Sequence, residues 1–441
     1  MSDSTKRILL ISYNYAPELT GIGKYNGEMV NWLVRKGYEC SVLTAYPYYP
    51  FWKTQPPYRG KRFFYHNEEL PVDNCSERVR VYRCPMYVPA QPSGIKRMLL
   101  DLSFFFSALL RLLTLLPGRR FDFVIAVSPS FQVGLLGVLY KKVTGAKLLY
   151  HVQDLQIEAA RALKMIKSDA LIDTLLKTEQ HIFREADLVS SISEEMVRTV
   201  GNKAGKPAFL FPNWTDVHQF FPLENRQEIK SRFGFSANDL VVLYSGAIGQ
   251  KQGLDAILKA ARANRDNKRI KFVLCGAGAY KDALVDMATR LGLYNVCFLP
   301  LQAPSDFNAF LNMADIHLVI QKASASGLVM PSKLGAILAV GGVALVTANK
   351  GSSLHTIISK YDMGFLVEAE NQAAFEEGLR TLATHDYRHL GENARRYAVD
   401  VLSIDKIMMR FERRLTTLLP GRVMLNSGDA AGAGYSSVTL R

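Results

Sequence analysis

Three short segments place glycines or a lysine where a predicted strand ends and a predicted helix begins. The first is Gly21-Ile22-Gly23, which follows an apolar run and opens a helical pattern. Glycines at such a turn let backbone N–H groups approach a phosphate at the positive end of the helix. We therefore predict that Gly21 and Gly23 contact a ligand diphosphate. The alternative is a tight turn that needs small residues.

The other two phosphate-binding candidates lie in the second half of the chain. One offers flexible backbone at Gly246 and a cation at Lys251. The other, Pro331-Ser332-Lys333, opens a later helix, although Pro-Ser is also an ordinary helix start. Because both follow strands of the same half, we predict that Gly246, Lys251, Ser332 and Lys333 hold one diphosphate.

A polar segment, residues 151–158, ends a strand of the first half. There His151, Asp154 and Glu158 would project from the carboxyl end of a parallel strand and position or deprotonate an acceptor hydroxyl. Asp154 is the preferred candidate, and a helix N-cap is the alternative for that residue.

The sequence contains no Asp-x-Asp and no acidic cluster of metal-ligand spacing. We therefore predict no metal and no other cofactor. Lysine side chains and helix dipoles would then neutralise the charge of a departing phosphate.

Strand-like and helix-like segments alternate along both halves of the chain, which indicates βαβ units in parallel, doubly wound sheets. The alternation stops near Phe211-Pro212-Asn213-Trp214 and then restarts. We predict an α/β protein with two Rossmann-like domains facing a central cleft. The predicted strands are residues 8–12, 41–44, 123–127 and 147–152, followed by 240–244, 270–275, 296–299, 316–320 and 344–347.

The length of 441 residues also requires more than one core. We place the first domain at 1–205, the second at 206–400, a C-terminal helix that can cross back at 401–420, and a disordered tail at 421–441. The net charge of +14 favours polyanionic partners. Five widely spaced cysteines are typical of a reduced, cytosolic protein.

One segment, residues 94–120, breaks the alternation. It is an apolar run interrupted by Asp101 and Arg111 and flanked by basic residues. A buried helix, a helix docked in the interface of an anionic membrane, and a membrane-spanning helix are the three interpretations.

These residues resemble the retaining glycosyltransferases of family 4, which have the GT-B fold. The resemblance covers nearly the whole chain: residues 15–25 are similar to the family's glycine loop, residues 212–216 to its hinge motif, and residues 331–333 to the helix start of one branch. It implies that Gly276-Ala277-Gly278 is the family's Gly-x-Gly turn, so that Gly276 and Gly278 bind the nucleotide of a sugar nucleotide.

A closer similarity, carried by Pro47-Tyr48-Tyr49-Pro50 and by residues 84–89 and 250–254, is to the branch that builds exopolysaccharides of the colanic acid type. It implies transfer of fucose from GDP-fucose to a polyprenyl-diphosphate-linked oligosaccharide. The protein would then be cytoplasmic, peripheral at the inner face of the cell membrane. Its expected partners are the nucleotide sugar, the lipid-linked acceptor, an anionic membrane surface and polysaccharide-assembly enzymes, and no nucleic acid.

Rival interpretations remain open. The family's Glu-x7-Glu pair is replaced by Leu328 and Ala336 here, which favours a catalytically inactive GT-B scaffold. A nucleotide-sugar epimerase has the same fold but would be expected to surround the sugar with carboxylate and His pairs. An NAD-dependent oxidoreductase is disfavoured, because the glycine spacing is Gly-x-Gly-x-x-x-Gly and no acidic residue ends the next strand.

Overall fold

The computed structural model describes residues 5–18, 21–73, 75–91, 94–157, 168–322, 331 and 333–419. The predicted tail at 421–441 lies outside these ranges, and so do two of the predicted site residues, Glu158 and Ser332.

The first domain contains an eight-stranded sheet. Its strands are β1 (Arg7–Ile11), β2 (Glu39–Ala45), β3 (His66–Pro71), β4 (Arg78–Cys84), β5 (Phe123–Ser128), β6 (Lys147–Val152), β7 (Leu188–Ser191) and β8 (Phe209–Leu210). Its described helices are α1 (Gly21–Arg35), α2 (Gly94–Leu115), α3 (Gln132–Thr144), α4 (Asp169–Glu185) and α5 (Glu194–Ala204). The strand order is β3-β4-β2-β1-β5-β6-β7-β8, and every pair is parallel except β3 with β4.

Both faces of this sheet are covered. All five residues of β1 are buried, and successive side chains point to opposite faces. Leu9 and Ile11 therefore pack in one core cluster, whereas Ile8 and Leu10 pack in another. A nearly continuous apolar strand is what a parallel sheet between two helical layers requires.

The second domain contains a six-stranded parallel sheet of order β11-β10-β9-β12-β13-β14. Its strands are β9 (Leu240–Ser245), β10 (Ile270–Cys275), β11 (Val296–Leu299), β12 (Ile316–Val319), β13 (Ala344–Thr347) and β14 (Phe365–Val367). Its helices are α6 (Arg226–Arg232), α7 (Asp255–Ala263), α8 (Lys281–Arg290), α9 (Phe307–Asn312), α10 (Lys333–Ala339), α11 (Ser353–Tyr361), α12 (Gln372–Thr384) and α13 (Arg388–Tyr397). Two Rossmann-like domains are thus confirmed.

The boundary between the domains differs from the predicted one. Residues 206–210 were assigned to the second domain, but β8 pairs with β7, with Phe209 opposite Ser190. The first domain therefore extends through Leu210. The sequence pattern missed this strand because it is only two residues long and half-buried.

The last described helix, α14 (Ile404–Thr416), packs against the first domain. Its Phe411 ring stacks on Phe211 with centroids 4.3 Å apart. Trp32 of α1 donates its indole N–H to Asp405 at 2.8 Å. The chain thus crosses from the second domain back to the first.

Contacts between the domains show how the two sheets are oriented. Ser353, the first residue of α11, donates its hydroxyl to Glu195 in the first turn of α5 at 2.7 Å. Both helices begin after the carboxyl end of a strand. The carboxyl edges of the two sheets therefore face each other, which is where doubly wound sheets bind ligands.

Candidate active site

The glycine loops after β9 and β10 pack directly on each other. The amide of Gly246 donates to the carbonyl of Cys275 at 2.9 Å, and the amide of Ile248 donates to Ala277 at 2.9 Å. A Cβ at Gly276 would overlap the carbonyl oxygen of Gly246. The glycines predicted to bind phosphate and nucleotide therefore form one backbone surface at the carboxyl edge of the second sheet.

Gly278 likewise has no room for a side chain. Its φ is +158° and a Cβ there would overlap the carbonyl oxygen of Ile248. A side chain at Gly276 or Gly278 would push the two loops apart, so the absence of side chains has a steric reason in addition to any ligand contact.

Lys333 reaches this surface from α10. Its ammonium lies 3.5 Å from the centroid of the Tyr244 ring and 3.5 Å from the carbonyl oxygen of Leu318. A Cβ at Gly246 would be 3.6 Å from the same nitrogen. Within the described part of the chain, no carboxylate forms an ion pair with it. Burial lowers the pKa of Lys333 to about 7.

The Lys333 side chain is half-buried, and an ammonium that has only ring and carbonyl contacts there is incompletely compensated. A phosphate dianion beside Gly246 would supply the missing charge and restore the ordinary protonation of the lysine. Gly246 and Lys333 are thus neighbours in the fold, and their binding of one diphosphate stays a prediction. Lys251 lies in a 3-10 turn, Gln250–Gln252, after the same loop.

In the first domain, Gly21 begins α1 with a φ of +63°, and a Cβ there would lie 3.4 Å from the Tyr49 ring. A Cβ at Gly23 would overlap the carboxylate of Glu18. The turn is therefore tight, as the alternative interpretation required. Tightness does not exclude phosphate contact, because Gly21 is exposed.

Glu18 is the residue that shapes this turn, and the sequence analysis missed it. It is only 3% exposed, and its carboxylate accepts hydrogen bonds from the amides of Tyr48 and Tyr49 at 3.0 and 2.9 Å. Asn14 donates a third bond at 2.9 Å. Burial raises the pKa of Glu18. The family-like Pro47-Tyr48-Tyr49-Pro50 segment was the available signal, since its backbone is what Glu18 binds.

His151 is not in the cleft. The residue is 3% exposed, its Nδ1 lies 2.9 Å from the Ser190 hydroxyl, and its ring packs edge-on against Phe211 at 5.0 Å. Burial lowers the pKa of His151 to about 3, so the ring is neutral. The expected position beside the reacting centre is therefore wrong, because β6 alternates its side chains and His151 points into the core.

Asp154 has the opposite environment. It follows β6 and is exposed, and its negative charge contributes to the raised pKa of Tyr13. Tyr13 follows β1, so the two residues lie at the same carboxyl edge. Of the described acceptor-side candidates, Asp154 is the one that solvent and a substrate can reach.

Asp101 joins this edge from α2. It interacts with Tyr13, whose ring packs on Phe104 at 5.7 Å. Burial raises the pKa of Asp101 to about 7, opposed by the nearby Arg97 and by a hydrogen bond with Tyr13. The sequence analysis did not include Asp101, Glu18 or Tyr244 among the site residues, although all three lie beside predicted ones.

A pH prediction follows from Asp101. Its pKa is raised on folding, so between about pH 4 and pH 7 the folded protein holds a proton that the unfolded chain releases, and stability falls as pH rises. We expect Asp101→Asn to remove that slope and to stabilise the protein by about 1–3 kcal/mol at pH 8. Denaturant unfolding of the parent and the variant at pH 5 and pH 8 measures the free energy of unfolding. An unchanged difference between the two pH values in the variant would contradict the assignment.

Comparison with known proteins is consistent with this geometry. Residues 20–214 match the family model described as glycosyl transferase 4-like domain, and residues 225–397 match the model described as glycosyl transferases group 1. A protein of Escherichia coli (strain K12), named as a colanic acid biosynthesis glycosyl transferase (WcaI), is 36% identical over 418 residues. That alignment covers 92% of this chain and 98% of the relative.

Solved structures show the same fold. Sucrose-phosphate synthase from Thermosynechococcus elongatus superposes with a TM-score of 0.69 at 16% identity, covering 94% of this chain and 99% of its own. HepE from Anabaena, solved in complex with UDP, gives 0.64 at 15% identity, covering 94% and 100%.

Proposed function

This chain is a glycosyltransferase that belongs to the group 1 family, and from that premise we propose that it transfers a sugar from a nucleotide sugar to a lipid-linked oligosaccharide with retention of configuration. The observation that carries the proposal is Lys333, a half-buried lysine whose ammonium lies against the glycine surface of the second domain. A diphosphate is the ligand that this combination suits.

The donor diphosphate binds against Gly246 and Lys333, with Lys251 and Ser332 beside it and the nucleotide near Gly276 and Gly278. Gly21 and Gly23 contact the phosphates from the first domain. Backbone amides and a desolvated cation stabilise the charge that develops on the leaving group, and their positions are fixed before the reaction. Transfer then needs no metal ion and no other cofactor.

The acceptor approaches from the side of Asp154. Its hydroxyl oxygen bonds to the anomeric carbon on the face from which the nucleoside diphosphate departs, and a diphosphate oxygen takes the hydroxyl proton. Asp154 orients the hydroxyl. Closure of the two domains excludes water that would otherwise hydrolyse the donor, so positioning supplies much of the rate.

The proposed donor is GDP-fucose, and the proposed acceptor is a polyprenyl-diphosphate-linked oligosaccharide of the colanic acid type. The name and the 36% identity of the Escherichia coli relative support this pathway. The enzyme would act as a peripheral protein at the inner face of the cell membrane, within reach of other polysaccharide-assembly enzymes.

A screen of the purified protein tests the donor. GDP-fucose, GDP, UDP-, ADP- and dTDP-sugars and NAD(P) are added without metal, and the melting temperature is recorded, since a ligand of the folded state raises it. We expect GDP and GDP-fucose to raise it and EDTA to leave that shift unchanged. A rise with a different nucleotide sugar instead would identify that compound as the donor class. A rise with NAD(P) only would overturn the proposal.

Product analysis separates the rivals. Transfer of fucose or release of GDP from the bound donor supports the transferase. Conversion of the sugar without transfer would indicate an epimerase. Binding without turnover in the presence of lipid-linked acceptor would indicate the inactive scaffold, which the replacement of the Glu-x7-Glu pair favours.

A further inference from the structure

Helix α2 exposes most of its apolar surface. It is long and apolar enough to cross a membrane, with 22 residues and a mean hydropathy of 1.8. Only Leu100, Phe104, Ala108 and Leu112 are buried, a stripe repeating every four residues. Phe105, Leu109 and Leu115 are partly buried beside this stripe. The opposite face is in solvent: Ile95 is 73% exposed, Leu99 51%, Phe106 58%, Leu110 60% and Leu113 45%.

A second apolar element lies beside the helix. Phe63 and Phe64 are 69% and 70% exposed in the turn before β3. Tyr65 ties this turn to the middle of α2, because its hydroxyl donates to the carbonyl of Ser107 at 3.0 Å. We call α2 and the turn at Phe63, Phe64 and Tyr65 the docking face. Exposed apolar area on this scale marks an interaction surface.

Basic side chains predominate around the docking face, although Arg119 is paired with Glu39 at 3.6 Å. Residues 94–120 contain five basic side chains and one acidic one. Lys96, Arg97, Arg119 and Arg120 are exposed, and so are Lys61 and Arg62 beside the aromatic turn. The single acidic residue, Asp101, is half-buried and forms a hydrogen bond with Tyr13. The rim therefore attracts an anionic partner.

We propose that the docking face binds the surface of an anionic lipid bilayer, with α2 lying in the plane of the interface and Phe63 and Phe64 inserted beside it. Exposed apolar side chains enter the boundary between headgroups and acyl chains, while the basic rim binds acidic headgroups. This inference rests on the proposed function, which makes the enzyme a peripheral membrane protein, and adds the surface that binds the bilayer.

The structure favours the in-plane arrangement over a spanning one. Spanning would withdraw Leu100, Phe104, Ala108 and Leu112 from the core of the first domain, where they are at most 2% exposed. It would also break the bond from the amide of Tyr87 to the Ser103 hydroxyl, at 2.9 Å. A second copy of the chain is disfavoured as the occupant, because two basic rims would repel each other.

Docking also orients the active site. The Phe104 ring of α2 packs on Tyr13, which follows β1 at the carboxyl edge of the first sheet. The bilayer surface therefore comes close to the edge that carries Asp154, and a headgroup-linked acceptor enters the cleft without leaving the membrane.

Vesicle flotation of the full chain, without donor or acceptor, tests the proposal. We expect binding to phosphatidylethanolamine vesicles that contain phosphatidylglycerol, weaker binding to phosphatidylcholine alone, and loss of binding at high salt. Phe63→Glu with Phe64→Glu, and separately Leu99→Glu with Phe106→Glu, should each lower the partition coefficient at least tenfold.

The matched control is Tyr294→Glu with Leu301→Glu, which are 64% and 63% exposed in the second domain and should bind like the parent. Melting temperatures establish that each variant is folded. Undiminished binding by both docking-face variants, or no binding of the parent to anionic vesicles, overturns the proposal. Resistance to extraction by alkaline carbonate overturns the in-plane arrangement.

Vesicle binding does not depend on which sugar nucleotide the enzyme uses. GDP release in detergent solution should be equal in the parent and in the Phe63→Glu, Phe64→Glu variant. Failure of the proposed function and failure of the docking face are therefore observed separately.

Discussion

Replacing Lys333 with alanine should lower turnover by about 100- to 1,000-fold, the loss that follows removal of one preorganised group that stabilises a developing anion. The ammonium lies 3.5 Å from the Tyr244 ring beside Gly246, without a carboxylate partner in the described chain. It is therefore poised to bind a diphosphate. Steady-state GDP release with GDP-fucose measures the effect.

The same change should leave folding stability nearly unchanged or slightly raise it. Burial lowers the pKa of Lys333 to about 7, so the unfolded chain binds this proton more tightly than the folded protein does. Removing the side chain removes that unfavourable difference below about pH 10. Thermal melts at pH 7 measure it.

Lys259→Ala is the matched control, because that lysine is exposed on α7 of the same domain and should retain parental turnover. Lys333→Met separates charge from packing. It keeps the aliphatic length over Tyr244 and should be as inactive as Lys333→Ala. Full activity in either Lys333 variant would contradict the diphosphate assignment.

The second large effect is expected from Gly276→Ala. Its Cβ would overlap the carbonyl oxygen of Gly246, and that neighbour is backbone, which cannot rotate away. We expect a loss of about 1–3 kcal/mol in the free energy of unfolding, as for other overpacked sites. Donor affinity should fall at least tenfold, because the displaced loop carries Gly246 away from Lys333. Chemical unfolding and calorimetric titration of GDP measure the two effects.

Gly60→Ala is the control for this substitution. Nothing lies within 4 Å of a Cβ at Gly60, so its stability and donor affinity should match the parent. If Gly276→Ala lost donor affinity with no change in stability, the glycine would serve the ligand alone and the contact between the loops would be unimportant.

Much of the site could be predicted because it follows local rules. Gly246, Gly276 and Lys333 each stand directly after a strand or at the start of a helix, and in a parallel sheet the carboxyl ends share one edge. Short, nearly continuous apolar runs made strands such as β1, β5 and β6 recognisable. Five of the described strands escaped. In β3 and β4 polar residues alternate with more buried ones, and β7, β8 and β14 have at most four residues each.

Other features depend on contacts between distant parts of the chain. His151 and Asp154 are three residues apart, yet one is buried against Phe211 and the other is exposed. The sequence pattern could not distinguish them, because the direction of a side chain at the end of a strand depends on register. Glu18 was missed for a related reason: its partners, the amides of Tyr48 and Tyr49, become neighbours only when β1 and β2 pair.

The sequence by itself determined the α/β class, the two-domain organisation, the position of the glycine loops after the strands and the resemblance that leads to a glycosyltransferase, since these depend on periodicity and short motifs. Only the tertiary structure decided that the Lys333 ammonium lies over the Tyr244 ring, that His151 is excluded from the cleft, and that α2 buries one face and exposes the other. The physical reason is that burial, and with it pKa and accessibility, depends on what packs against a residue. Composition alone left three interpretations of α2 open. The packing of one face against the first domain argues against a membrane-spanning helix, and the exposure of the other face argues against a wholly buried one.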